Sequence, residues 1–416
     1  MDAPSLIMAI AVLSGLYLAW NIGANDVANA MGTSVGSGAL SLRRALVLAI
    51  VFEALGAFLA GGRVTATISE GLVSLDAFGG DAVLLSASMT ACLISAALWL
   101  NFASFMGWPV STTHCIVGAV VGAGLTVGGW SALDTGRLAG VGVAWILSPM
   151  LAIWLGFQSF GFIRRHILGS ADPLSRVQKL GPPMAGALVA LVTLGLLFRG
   201  EGPLAFDLPL WLAGAIALVL GATATALVRP AFRRATAEPP ADHPARVKRT
   251  ERIFHGLQVP AACALAFAHG SNDIANAVGP VAVVFHGLRV GITEQVAVPP
   301  GVLLVGVVGL AIGLASYGYK VMATVGREIT ELTGSSGCAA AFSAAAIILV
   351  GSKLGLPVST THIMVGAVIG VGFGRGIAAI NTRVLRAIIA SWLVTVPFTA
   401  ALTAALVAMA RSALGG

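Results

Sequence analysis

From Pro182 to Phe198 the chain has no charged side chain, and comparable apolar runs recur along most of its 416 residues. A stretch of about 20 such residues is long enough to cross a lipid bilayer as a helix. Charge is confined to short clusters between the runs, such as Arg43-Arg44 and Arg164-Arg165-His166. Only 10% of residues are charged and 57% are hydrophobic, whereas a soluble domain carries about 25% charged residues. An all-α polytopic membrane protein with about ten to twelve transmembrane helices is therefore expected. Met1 to Trp20 lacks a basic leader and a small-residue cleavage site, so it reads as a first span.

The net charge of +7 comes from Lys and Arg between spans. The positive-inside rule explains it without a nucleic-acid partner. Cys92, Cys115, Cys263 and Cys338 lie in apolar segments without paired spacing, which supports neither a disulfide framework nor a metal site. They read as small packing residues.

The chain is duplicated. Gly23-Ala24-Asn25-Asp26-Val27-Ala28-Asn29-Ala30 returns as Gly270-Ser271-Asn272-Asp273-Ile274-Ala275-Asn276-Ala277, and Pro109-Val110-Ser111-Thr112-Thr113-His114 as Pro357-Val358-Ser359-Thr360-Thr361-His362. Across Gly107–Gly124 and Gly355–Gly372, 13 of 18 positions are identical. Asp26 and Asp273 are 247 residues apart, but Gly56 to Thr67 aligns best with Gly313 to Thr324 at a shift of 257, so the second half has an insertion near His286 to Pro300. Residues 1–162 form a first repeat and 255–416 a second. Between them lie two connecting spans and basic loops, including 229–252 with seven basic residues, three acidic ones and four prolines. The Arg43-Arg44 pair follows the first motif, whereas Lys248, Arg249 and Arg252 precede the second. The repeats are therefore expected to be inverted, with the site near the midplane where they meet. Arg63 and Lys320 align near span ends and read as interface anchors.

Ionisable groups in hydrocarbon are costly and mark function. Asn25 and Asn29 are four residues apart, as are Asn272 and Asn276, so in a helix each pair shares a face. Neighbouring glycines allow unwinding. Carboxylate, amide and carbonyl oxygens would then make a hard-cation site of the kind found at broken helices. Interhelical hydrogen bonding is the structural alternative. In the second motif, Pro followed by Ser-Thr-Thr reads as a helix start inside the membrane. Its hydroxyls and unpaired amides suit an anion, phosphate especially. Back-bonding of Ser and Thr within the helix is the alternative there. His114 and His362 could contact the anion, carry a proton or cap the turn. Glu53, deep in a span and matched by Leu310, could be a third cation ligand, a proton site or a gate.

Neither motif contains Lys or Arg, and Lys353, just before the second, is matched by Phe105 and reads as peripheral. An anion close to two aspartates is repelled, by about 4 kcal/mol at ~4 Å and an effective dielectric of 20. Binding of the anion should therefore demand a cation at each Asp, and that requirement amounts to coupling.

On these two duplicated motifs the chain resembles the inorganic phosphate transporter (PiT) family. The resemblance implies inverted repeats with re-entrant helical hairpins and broken helices. It also implies a homodimer in the cell membrane that imports inorganic phosphate with Na⁺, or alternatively H⁺, and needs no cofactor. Carried onto this chain, Ser111, Thr112, Thr113, Ser359, Thr360, Thr361, Asn25 and Asn272 would line the phosphate site. Asp26, Asn29, Asp273, Asn276 and Glu53 would serve the cation, with Na⁺ at Asp26 and Asp273. Glu53 resembles a functional glutamate of eukaryotic members, but Cys338 to Ala346 lacks the second glutamate expected there. The rival readings are a sulfate permease of the same family and a passive anion channel. An intramembrane Ser-His hydrolase is disfavoured because every group is duplicated.

Overall fold

The computed structural model describes residues 3–60, 72–198, 208–292, 296, 298–316 and 318–414. Arg63 lies outside them. Among the described residues there are thirteen α-helices: α1 (Ala3–Gly36), α2 (Leu42–Ala60), α3 (Ala82–Met106), α4 (Thr112–Gly128), α5 (Thr135–Ile163), α6 (Pro173–Leu197), α7 (Leu210–Thr236), α8 (His243–Arg289), α9 (Pro300–Ser316), α10 (Tyr319–Ala323), α11 (Gly334–Lys353), α12 (Thr360–Arg375) and α13 (Thr382–Ala413). Among the described residues no β-sheet forms; two isolated bridges, Val73 with Leu133 and Phe198 with Leu208, close loops.

Among the described residues, eight helices are long and apolar enough to cross a membrane, or nine if the pair Pro300–Ser316 and Tyr319–Glu328, bent by 66°, counts as one span. This is a multi-pass membrane protein. Three helices outside that number fall short for different reasons. Helix α2 carries Arg43, Arg44 and Glu53, α8 has a polar middle, and α12 is only 16 residues long.

The duplication is visible in the packing. Helix α1 packs on α9 and α8 on α2, while α5 packs on α12 and α13 on α4, so each half clasps the other. Within each half a helical hairpin, α3–α4 or α11–α12, turns at a buried tip. The turn is made the same way twice. Gly107 and Gly355 take left-handed φ of +74° and +68°. Trp108 N then donates to Ala103 O (2.9 Å) and Leu356 N to Gly351 O (3.0 Å), the 6→1 bond that ends a helix at a left-handed residue.

Two expectations are corrected. Helices α1 and α8 run unbroken through both Asn-Asp segments. Gly23 and Gly270 do not unwind them but let other backbones approach. A Cβ on Gly23 would overlap Leu310 O, and one on Gly270 would overlap Glu53 O. Second, segment 229–252 is not a loop. It is helical to Thr236 and again from His243, with Asp242 capping α8 through Ala245 N (3.1 Å) and Pro244 in the first turn, where a missing N–H costs nothing.

Candidate functional site

Both hairpin tips point at the Asn-Asp segments. Their prolines sit two residues before the helix caps, not inside the helices, so the tips are extended. Ser111 and Ser359 are the caps: each accepts from a histidine amide, His114 N or His362 N, at 3.1 Å. The amides of the two threonines between cap and histidine have no intrahelical acceptor.

The tips are tied to each other reciprocally. Thr113 Oγ1 donates to Val358 O (3.2 Å) and Thr361 Oγ1 to Val110 O (3.1 Å). They are also tied to the Asn-Asp helices across the two halves. Asn29 Nδ2 donates to Thr361 Oγ1 (2.8 Å) and to Asp26 Oδ1 (2.9 Å), while Asn276 Nδ2 donates to Thr112 Oγ1 (3.0 Å). Thr360 Oγ1 donates to Asp273 Oδ2 at 2.6 Å. Ser111, Thr112, Thr113, Ser359, Thr360 and Thr361 are thus gathered with Asp26, Asn29, Asp273 and Asn276 into one buried cluster.

Asn25 and Asn272 face away from the centre, toward the ends of α3 and α11. Asn25 Nδ2 donates to Ser104 Oγ (2.9 Å) and Trp108 O (3.1 Å). Asn272 reaches Ser352 Oγ at 3.1 Å in either amide orientation. With its oxygen toward Ser352, its nitrogen also donates to Asp273 Oδ1 and Val358 O, both at 3.1 Å. These amides hold the hairpins against the Asn-Asp helices. Lys353 ends α11 and is buried there.

His114 and His362 lie behind the tips, where the ring centroids are 4.3 Å apart. His114 packs on Trp145 (3.7 Å) and His362 on Trp392 (3.6 Å). Each tryptophan also binds the opposite tip: Trp145 Nε1 donates to Pro357 O (3.1 Å) and Trp392 Nε1 to Pro109 O (2.9 Å). Sequence reasoning missed these tryptophans, although their separation of 247 is that of Asp26 and Asp273.

The larger omission is His269, one residue before the second Asn-Asp motif. Its Nε2 lies 2.9 Å from Asp273 Oδ2 and 3.5 Å from Asp26 Oδ2, and its Nδ1 lies 3.2 Å from Glu53 Oε2. Imidazole and carboxylates are essentially inaccessible to solvent. A neutral imidazole has a single N–H. With both nitrogens facing carboxylates, either the ring is an imidazolium or one carboxyl carries a proton. Glu53 is thereby joined to the central cluster, and the site has an internal cationic candidate after all. Asp26, His269 and Asp273 place one donor atom each within 4.8 Å of one another.

The surroundings are rich in acceptors. Among the described residues, Asn25 Oδ1, Asn29 Oδ1 and Asn276 Oδ1 are buried and meet no hydrogen-bond donor. Buried acceptors without donors are uncommon and mark a place for a ligand that can supply the missing contact. Oxygen-rich surroundings suit a hard cation, and hydroxyls with unpaired helix amides suit an oxyanion.

Known proteins share this sequence and fold over nearly the whole chain. The sequence profile of the Phosphate transporter family matches residues 22–403. The chain is 41% identical over 415 residues to the inorganic phosphate transporter 2-1, chloroplastic, of Arabidopsis thaliana, covering 94% of this chain and 70% of that one. It is 40% identical to a putative phosphate permease of Chlamydia muridarum, covering 95% and 96%. Its fold superposes on a solved structure described as the sodium-dependent phosphate transporter with a TM-score of 0.90 at 35% identity, covering 98% of this chain and 99% of that one. This chain belongs to the phosphate transporter family.

Proposed function

We propose that the protein is a symporter that imports inorganic phosphate together with Na⁺. The observation that carries this reading is the surplus of acceptor oxygens around two buried aspartates that are themselves linked to the hairpin hydroxyls. Asp26 is reached through Asn29 and Thr361, and Asp273 through Thr360. An oxyanion held at Ser111, Thr112, Thr113, Ser359, Thr360 and Thr361 would sit against these carboxylates. Na⁺ at Asp26 and Asp273, with oxygens of Asn29 and Asn276, removes that repulsion and makes the two ions bind together. His269 supplies one further positive charge when protonated, which does not balance three carboxylates.

The reading is supported by the solved relative, described as sodium-dependent. Proton coupling is the second reading, and the Glu53–His269 contact at 3.2 Å favours it, since a proton can be exchanged there. Phosphate is preferred over sulfate because it can donate a hydrogen bond to a facing acceptor. We place the protein as a homodimer in the cell membrane.

Labelled-phosphate uptake into proteoliposomes tests this, with imposed Na⁺ or pH gradients and sulfate as competitor. A Na⁺ gradient should drive accumulation, and Asp26→Asn and Asp273→Asn should each lower Na⁺ dependence and phosphate affinity together. Uptake indifferent to both gradients would refute symport. Uptake driven by pH alone would favour the proton reading.

A further inference from the structure

Helices α7 and α8 splay apart at the basic end of the molecule, leaving a cleft of about 840 Å³ between them. Its floor is apolar, with Val228 and Ala231 on α7 and Ile253 and Leu257 on α8. Its rim carries Lys248, Arg249 and Arg252, and no acidic residue lines it. The three cations are not equivalent. Arg249 is occupied as the cap of α7, donating to the carbonyls of Ala235 (3.0 Å), Ala237 (2.7 Å) and Glu238 (2.8 Å). Lys248 and Arg252 are exposed and have no hydrogen-bond or ion-pair partner among the described residues. Four residues apart, they share a face of α8.

The cleft also has a second compartment. Through Ala185 and Leu257, which line both, it adjoins a chamber of about 330 Å³ walled mainly by apolar groups of α5, α6, α8 and α11, among them Phe162, Met184 and Phe342. A small anion would gain the two cations but lose its water against these walls, which is costly. A molecule with an anionic head and a hydrocarbon tail matches both compartments. The basic rim marks the cytoplasmic side, where basic pockets between membrane helices hold anionic headgroups.

We propose that this cleft binds an anionic glycerophospholipid, its phosphate at Lys248 and Arg252 and an acyl chain in the adjoining chamber. The occupant would wedge the connecting helices against α8, the helix that carries His269 and the second Asn-Asp motif.

The test uses purified full-length protein in detergent, titrated with phosphatidylglycerol, phosphatidylcholine or inorganic phosphate. Native mass spectrometry counts bound lipid and a thermal melt reports stability. Phosphatidylglycerol should bind at defined stoichiometry and raise the melting temperature, whereas phosphatidylcholine should do neither. Lys248→Ala with Arg252→Ala should weaken phosphatidylglycerol binding about tenfold or more without changing the melt in its absence. Ala185→Phe, which narrows the passage to the chamber, should weaken it independently. Equal retention of both lipids, undiminished binding in both variants, or displacement by millimolar inorganic phosphate would each overturn the proposal. So would a loss of dimer in place of a loss of lipid, since the cleft would then seat a second copy of the chain.

Discussion

His269 Nδ1 lies 3.2 Å from Glu53 Oε2, and neither residue has a counterpart in the other half: Ile22 stands where His269 would repeat and Leu310 where Glu53 would. Two departures from the duplication thus answer each other across the contact between α2 and α8. Loss of His269 strips Glu53, Asp26 and Asp273 of a shared buried partner, at about 3–5 kcal/mol, whereas loss of Glu53 leaves the imidazole its contacts with the two aspartates.

The pair can be tested by copying the other half onto it. Glu53→Leu and His269→Ile should each lower stability strongly and abolish uptake. The double variant should be less destabilised than the sum of the two, with a coupling on the order of 1–3 kcal/mol. Unfolding midpoints of the three variants in detergent measure this. Strictly additive effects would show that the contact carries no energy.

Thr361 accepts from Asn29 and donates to Val110 O, so its hydroxyl joins a tip to the opposite tip and to an Asn-Asp helix. Thr361→Val keeps the shape and removes the hydroxyl, leaving buried groups unsatisfied at about 1–3 kcal/mol. Phosphate uptake should fall by roughly tenfold or more, while Thr361→Ser should retain most of it. Uptake kinetics of the two variants decide the matter, and equal losses would assign the effect to shape alone.

The backbone contacts at Gly23 and Gly270 leave no room for a side chain. Gly23→Ala and Gly270→Ala should each destabilise by about 1–3 kcal/mol through overpacking. Gly140→Ala in α5, where an added Cβ meets nothing within 4 Å, should be neutral or stabilising, up to about 1 kcal/mol. Melting temperatures and monodispersity on a sizing column read out all three. A destabilised Gly140 variant alongside intact Gly23 and Gly270 variants would contradict the packing described.

Trp145 and Trp392 make equivalent contacts, so equivalent changes should cost the same. Trp145→Phe and Trp392→Phe each keep a ring against a histidine but delete the N–H to a tip carbonyl. About 1 kcal/mol should be lost per substitution, measurable as a shift of the unfolding midpoint, with similar reductions in uptake. A large effect at one tryptophan and none at the other would show that the two halves do not share the work at the tips.

What the sequence made legible was whatever had been written twice. Asp26 and Asp273, or the two Ser-Thr-Thr-His segments, stand out because a polar group repeated at matching positions in apolar surroundings needs a reason. His269 escaped for the converse reason: its counterpart Ile22 is apolar, so a search guided by repetition passes over it. The unbroken course of α1 and α8 was hidden too. A glycine that loosens a helix and a glycine that admits a neighbouring carbonyl look alike in one dimension, and only the carbonyls of Leu310 and Glu53 distinguish them. The helical stretches within 229–252 were obscured by four prolines, of which only Pro239 and Pro240 fall between the helices; Pro230 lies inside α7 and Pro244 in the first turn of α8.

Helices α1 and α8 are continuous rods through the middle of the site, so their carboxylates are carried on helical backbone. Of the six hydroxyls, those of Ser111 and Ser359 lie on the non-helical turns at 107–111 and 354–359, and the four threonines open α4 and α12 directly behind them. If the hairpins are what moves when the site is exchanged between the two sides of the membrane, the rods are the fixed rail past which they travel. Substitutions that stiffen a turn should therefore slow turnover with little change in equilibrium ion affinity, whereas substitutions along the rods should do the reverse.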